Sequence, residues 1–444
     1  MSLRVAFETL GCKLNQYETD AIAAGFRELG WEIVDTSTQA EAYVVNTCTV
    51  TNKADRKSFH TLGRHRQHPH RPVVVVTGCF AESARDSLEG QEGVTFVVPN
   101  AKKNQIPALV DAHLRGEVSA PTLPDPDVFG FPVHEKVFHT RASLKIQDGC
   151  DNFCSFCIIP SVRGRAVSRP MAQVLEAART LVAGGRKELV LTGVNMGRWR
   201  HDEADFSDLV RALLGLEGDF RLRITSLEPE GLGEAFADLL THPKFCPHLH
   251  LCLQSASPRI LLTMRREYNL DQYIQMAALF RKRRPDLNLT TDLIVGFPGE
   301  SDLEFEKTLA AIEVIGFGFA HVFPYSRRQG TRAERMPEQI PEPLKVERSR
   351  RLQQKVAEVR RTRMAALRGH KRRILVETPG TERSEKVWLR GLTEDYFPVR
   401  FQGKAGWNTF VDVTLETLEE ESGELVFGAK IIPSPPSPGR QHPL

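Results

Sequence analysis

The chain has 444 residues, 41% of them hydrophobic and 26% charged, and 59 Lys and Arg set against 56 Asp and Glu leave a net charge of +3. That length predicts about two to four domains, and the near balance of charge excludes a globally cationic nucleic-acid binder, so any such footprint is local. No run of 18 apolar residues occurs, and MSLRVAFETLGC has no basic region leading into an apolar one, so neither a membrane span nor a secretory signal is expected.

Residues 1–117 alternate apolar runs (Arg4–Phe7, Tyr43–Val45, Val73–Val76, Val94–Val98) with helix-like stretches at Glu18–Gly30 and Asn52–His65. Such alternation predicts a parallel sheet with helices on its faces. Residues 118–138 carry four prolines and read as a linker. Residues 139–368 resume the alternation. Strands are expected at Ser143–Ile146, Glu188–Leu191, Arg221–Ile224, His248–Leu251, Leu289–Val295 and Phe319–Val322. Helices are expected at Met171–Ala183, Phe206–Leu214, Asp271–Arg283 and Ser301–Ile315, and about six such units predict a full or partial barrel. A long charged helix covers 345–368. In 369–432 the runs ILVET, VWLRGL, YFPVRF and TFVDVTLETL, split by turns, predict a small β-barrel, and the Pro-rich stretch 433–444 is expected to be disordered. The fold class is α/β: an N-terminal parallel-sheet domain, a central partial (β/α) barrel and a C-terminal small β-barrel.

Eight cysteines stand at 12, 48, 79, 150, 154, 157, 246 and 252. Three of them within eight residues, in a long chain without a signal, read as reduced metal ligands rather than disulfides, which implies the cytoplasm. Cys150-x3-Cys154-x2-Cys157 places three thiolates on one loop just after the first barrel strand, where barrel enzymes build their sites. Three thiolates can hold three irons of a [4Fe–4S] cube and leave the fourth iron open to a ligand. A zinc site usually takes four ligands in C-x2-C pairs, and no fourth Cys or His follows closely. Cys12, Cys48 and Cys79 share no local motif. Each follows a strand candidate (ETLGC, VVNTC, VVTGC), and in a parallel sheet such ends meet at one edge, which predicts a second cluster site. The glycines before Cys12 and Cys79 would let backbone approach the metal. Cys246 and Cys252 lack this setting and read as core or surface residues.

Several strand ends of the barrel carry Gly and polar residues: Gly193 and Asn195, Ser226 and Glu228, Gln254, and Asp292. They face the same mouth as the cysteine loop and can bind the amino, carboxylate and ribose groups of a ligand, or simply make turns. Residues 345–373 hold twelve Lys or Arg and two Glu, and they lead into a barrel with exposed-looking Trp388, Tyr396, Phe397 and Trp407. Basic residues beside aromatics predict RNA binding. A second basic cluster, Arg56 to Arg71, with His60, His65, His68 and His70, reads as a solvated helix and loop rather than a metal site.

TLGCKLNQYETD (residues 9–20) and KIQDGCDNFCSFCIIPSVRGR (residues 145–165) carry a resemblance to the radical S-adenosylmethionine (SAM) methylthiotransferases, which extends from about residue 3 to about 432. Within that family the first run resembles the branch acting on threonylcarbamoyladenosine. The resemblance implies a radical SAM barrel and a TRAM-like RNA-binding barrel at the C-terminus. It implies one [4Fe–4S] cluster on Cys150, Cys154 and Cys157 that binds SAM, and a second on Cys12, Cys48 and Cys79 that carries the sulfur. It implies SAM cleavage to a radical that takes hydrogen from carbon 2 of the adenine at position 37 in the tRNA anticodon stem-loop. The partners implied are tRNA, SAM, an electron donor such as a flavodoxin or ferredoxin, and a sulfur source.

The chain departs from the family pattern at Met196-Gly197-Arg198-Trp199-Arg200, at RRQGT in residues 327–331 and at Cys252. Two readings within the class stand beside the first, with isopentenyladenosine or a ribosomal-protein aspartate as substrate. A reading from another class is a non-catalytic RNA-binding protein that houses two clusters. Against it, each cysteine set is one ligand short of the four that electron-transfer centres typically have.

Overall fold

The computed structural model describes residues 2–66, 70–117, 127–131, 139–378, 382–383 and 386–433. The tail from 434, most of the 118–138 linker and His68 lie outside the described residues.

The first unit is a five-stranded parallel sheet of β1 (Arg4–Thr9), β2 (Glu32–Val34), β3 (Ala42–Thr47), β4 (Val73–Gly78) and β5 (Phe96–Val98), in the order β2-β1-β3-β4-β5. β3 and β4 are buried at every position, as strands of a sheet covered on both faces must be. One face packs on Phe26, Trp31 and Ile106, the other on Leu62 and Phe80. Glu32–Val34 was not expected as a strand; it is short and half-exposed, with no apolar run to reveal it. In this strand order the direction of winding reverses between β1 and β3, and such a switch point leaves a crevice at the carboxyl ends.

The second unit is an open barrel of parallel strands β6 (Ala142–Lys145), β7 (Glu188–Thr192), β8 (Arg221–Ile224), β9 (His248–Leu251), β10 (Asn288–Val295) and β11 (Phe319–Pro324). β6, β7 and β8 form one sheet; Ser226–Leu227, just past β8, starts the next and pairs with β9. A single continuous core, with Trp199, Phe236 and Phe280 fully buried, fills the space between strands and helices. Trp199 sits in this core, and its indole donates to the carbonyl of Arg169 at 3.0 Å.

The helix Glu342–Ala366 crosses β11 and leads into the third unit: β12 (Lys371–Thr378), β13 (Lys386–Thr393), β14 (Pro398–Gln402), β15 (Phe410–Glu421) and β16 (Glu424–Ile431). The strands follow β12-β15-β16-β14-β13, and β13 pairs back to β12, so the sheet closes on itself. The basic run is mostly spent inside the molecule. Arg348 is buried against Glu300 and Asp302, while Arg351, Lys355, Arg360, Arg361, Arg372 and Arg373 each meet a carboxylate. Among the described residues, Arg350, Arg363, Arg368 and Lys371 have no such partner, and half-buried Arg363 donates to the carbonyl of Gly316 at 2.7 Å instead. The aromatic reading is corrected as well. Phe397 is core, Tyr396 and Trp388 are half-buried, and Trp407 alone of the four is exposed. No helix among the described residues is long and apolar enough to cross a membrane.

The third unit docks on the amino ends of the barrel strands through buried charge. Glu188 accepts from Arg221 and Arg223, both at 2.6 Å. The two guanidiniums reach on to the carbonyls of Arg373, Leu392, Thr393 and Glu394. Burial acts to raise the Glu188 carboxyl, but Arg221, Arg223 and Arg141 outweigh it and hold the group well below the usual carboxylate range. A carboxyl lowered on folding stabilises at every pH above its unfolded value and loses that contribution only in strong acid. Glu188→Gln leaves two buried arginines without a carboxylate. The expected cost is about 3–5 kcal/mol, read as a lower urea midpoint with loss of hydrogen-exchange protection in β12 and β13.

Candidate functional site

The carboxyl end of β6 runs through Gln147 and Asp148 into the loop that carries Cys150, Cys154 and Cys157, all three half-buried. The backbone N–H of Asn152 points at the Cys150 sulfur at 3.5 Å, and Arg266 Nη1 donates to the Cys154 sulfur at 3.2 Å. The guanidinium of Arg266 is paired on its other side with Glu228. Burial pushes the Cys157 thiol up to about 12, with Cys154 and Cys150 adding to the shift. Gln147 Oε1 accepts from the N–H groups of Val194 (2.9 Å) and Asn195 (2.8 Å), which draws the Gly193–Asn195 turn against the loop. Asn195 Nδ2 lies 4.0 Å from the Cys150 sulfur.

In the first unit β1, β3 and β4 are neighbours, so their parallel ends deliver Cys12, Cys48 and Cys79 to one edge, at the switch point. Cys12 caps the helix Lys13–Glu28, Cys48 follows β3 directly and Cys79 opens the helix Cys79–Ser83. Burial pushes the Cys48 thiol up to about 11, and Cys12 and Cys79 push it further in the same direction. The preceding glycines serve the packing of strand ends more than an approach to metal. At Gly11 (φ +99°) a Cβ would lie 2.7 Å from the Cys48 sulfur, and at Gly78 (φ +100°) one would lie 2.2 Å from the Thr47 carbonyl oxygen.

A fully buried ionic network ties the two cysteine sites together. Glu18 accepts from Lys103 (2.5 Å), Lys145 (3.0 Å) and Arg163 (2.9 Å). Asp148 accepts from Lys145 (2.6 Å) and Arg163 (3.1 Å), and Arg163 also donates to Asn15 at 2.8 Å. Three cations meet two carboxylates, so one positive charge is left over. It lies against Cys79: Arg163 and Lys103 both favour the thiolate there, opposing the burial that raises the thiol.

Residues 4–99 match the family described as uncharacterized protein family UPF0004, and residues 144–312 match the radical SAM superfamily. The threonylcarbamoyladenosine tRNA methylthiotransferase MtaB of Bacillus subtilis (strain 168) is 38% identical over 410 residues, 90% of each chain. A tRNA-2-methylthio-N(6)-dimethylallyladenosine synthase of Cereibacter sphaeroides is 36% identical over 85% of this chain and 88% of its own. The chain belongs to the MtaB-like radical SAM methylthiotransferase family. Among solved structures, the radical SAM methyltransferase TsrM of Kitasatospora setae superposes with a TM-score of 0.56 at 18% identity, over 75% of this chain and 77% of that one, a likeness of fold alone.

The methylthiotransferase is thus an enzyme that transfers a methylthio group and works with SAM and an iron–sulfur cluster. The loop residues fit such a cluster. Among the described residues, His250, Cys252 and Asp292 are the set of three candidate ligands whose donor atoms all lie within 4.8 Å of one another. Buried acceptors with no partner in the structure, Asn195 Oδ1, Asn152 Oδ1 and Glu230 Oε1, cluster beside Cys150. N–H groups aimed at cluster sulfurs are a usual means of tuning such a centre.

The six strand-end residues singled out in the sequence fall into three places. Gly193, Asn195 and Glu228 gather at the Cys150 loop. Ser226 and Asp292 line a cavity of about 1060 Å³. Gln254 instead bridges backbone to backbone with β10, its N–H donating to the carbonyl of Asp292 at 2.9 Å. The cavity runs between all three units. Cys12, Lys13 and Cys48 lie on one wall, His250, Asp292 and His321 on another, and Tyr396 and Trp407 on a third. Tyr396 stacks on His248 at 4.7 Å with Arg223 over its ring at 4.5 Å, so this aromatic closes the cavity rather than presenting an open surface. Cys252, read from the sequence as a core or surface residue, is buried, and its thiol is raised first by burial and then by Asp292 and Cys154, which places it between the cavity wall and the loop. His60, His65 and His70 do not assemble: His60 is exposed, His65 bonds Glu8 at 2.8 Å, and His70 reaches the carbonyl of Ala40.

Proposed function

We propose that the methylthiotransferase adds a methylthio group to carbon 2 of N6-threonylcarbamoyladenosine at position 37 of tRNA, giving 2-methylthio-N6-threonylcarbamoyladenosine. The observation that carries this reading is the shared cavity: the Cys12 and Cys48 edge, the barrel interior and the C-terminal barrel all open onto one space large enough for a nucleotide. An unstacked base from a stem-loop is the form in which such a space can take a nucleotide.

In this reading Cys150, Cys154 and Cys157 hold one [4Fe–4S] cluster, and Cys12, Cys48 and Cys79 hold a second. Bound there, the first supplies the electron that cleaves SAM and the second carries the sulfur. The chain itself positions and insulates. Arg266 and the N–H of Asn152, which donate to the sulfurs of Cys154 and Cys150, would support the thiolates that hold the first cluster. Asn195 and Glu228 stand ready for polar groups of SAM from the loop side, and Ser226 and Asp292 from the cavity. Gly193 keeps its turn slim, because a Cβ there would meet Met196 at 2.8 Å. Trp407 and the exposed cations of the basic run without carboxylate partners, Arg350, Arg368 and Lys371, are the surface offered to RNA. Domain limits of 1–117, 139–368 and 369–432 follow from this division of labour. An electron donor of flavodoxin or ferredoxin type, a sulfur source and a cytoplasmic setting complete the reading.

Relatives named for dimethylallyladenosine keep a second substrate in view. Mass spectrometry of tRNA nucleosides from cells with and without the gene separates the two. The expected result is loss of 2-methylthio-N6-threonylcarbamoyladenosine with accumulation of its precursor. Loss of the dimethylallyl analogue alone would reassign the substrate.

A further inference from the structure

We propose that Lys13 determines specificity by receiving the carboxylate of the substituent on N6 of the target adenine; this rests on the threonylcarbamoyl reading above. The other cations of the cavity are already engaged. Arg141 pairs with Glu377 at 2.8 Å, Arg223 is held by Glu188, and Arg360 faces Glu424 at 3.7 Å. Asp292 is matched by His250 at 3.2 Å. Lys13 has no carboxylate partner among the described residues. Its ammonium donates to the neutral Gln16 Oε1 at 3.0 Å, one turn along its own helix.

Its charge nevertheless reaches across the space. Burial and then Lys13 lower the His139 imidazole. Arg141 foremost, with Arg223 and Lys13 behind it, lowers the Tyr396 phenol against the opposing pull of burial. An ammonium on the cavity wall, open to solvent and short of an anion, is a counter-charge waiting for an anionic ligand.

The position matters as much as the charge. Lys13 directly follows Cys12, one of the three residues assigned to the sulfur-carrying site. Carbon 2 and N6 of adenine lie on the same edge of the base, either side of N1. A base that presents carbon 2 to the Cys12 edge therefore brings its N6 substituent to the neighbouring residue. A threonylcarbamoyl group ends in a carboxylate, whereas a dimethylallyl group is hydrocarbon and leaves the ammonium desolvated without a partner.

The test uses anaerobically reconstituted full-length enzyme and two anticodon stem-loops, one with the free threonylcarbamoyl acid and one with its neutral methyl ester. Lys13→Met should lower kcat/KM on the acid by about 10- to 100-fold, the size of a charge-assisted hydrogen bond. The wild type should lose about as much on the ester, the two losses should not add, and Lys13→Arg should recover most of the preference. Equal losses on acid and ester, no loss at all, or a loss that follows a fall in iron content would each overturn the proposal. Wild-type enzyme that ignores the acid but converts a dimethylallyl stem-loop would instead sink the substrate reading, and the proposal with it.

Discussion

Arg163→Met is expected to destabilise the chain by about 3–5 kcal/mol and to cost the Cys12, Cys48 and Cys79 site its iron. Arg163 is buried and bonds Glu18, Asp148 and Asn15 at once, joining the helix after Cys12 to the strand end before Cys150. Methionine fills similar space but leaves a network of two cations and two carboxylates, and the charge that favoured a thiolate at Cys79 is gone. Urea unfolding and iron analysis after anaerobic reconstitution check both halves. Arg163→Lys keeps the charge but not the fork, and should retain more iron than Arg163→Met. An unchanged urea midpoint with full iron would mean that the network is incidental to the site.

The second large effect is a division of labour between the cysteine sets. Cys154→Ala removes the thiolate that Arg266 supports, and SAM cleavage should fall to background. Cys48→Ala leaves the barrel loop untouched, so SAM cleavage should persist while methylthiolated RNA disappears. Quantifying 5′-deoxyadenosine and the modified nucleoside in the same reaction gives both readings. If Cys48→Ala also abolished cleavage, the two sites would not be separable in the way the fold suggests.

Much of this was legible in the sequence, for identifiable reasons. Arg221–Ile224, His248–Leu251, Met171–Ala183 and Phe206–Leu214 were read with their observed bounds, because apolar period and flanking turns agree there. Strand ends in a parallel sheet must share an edge, so Cys12, Cys48 and Cys79 could be grouped across 67 residues of chain before any coordinates. Buried charge was not legible. Lys103, Lys145 and Arg163 look like surface residues in one dimension, since their partner Glu18 is up to 145 positions away. The same limit misread the aromatics of the C-terminal barrel: Tyr396 is half-buried because His248, Arg223 and Arg141, from another unit, cover it. Arg266 had no motif to mark it, and its role comes from a contact with Cys154 across 112 residues.

Iron and acid-labile sulfide per chain, measured on anaerobically reconstituted wild type and on variants with either cysteine trio replaced by alanine, test the two-site account most directly. The account predicts about eight irons for the wild type and about four for each triple variant, with SAM cleavage retained only when Cys150, Cys154 and Cys157 are intact. About four irons in the wild type, unchanged by replacing Cys12, Cys48 and Cys79, would contradict it.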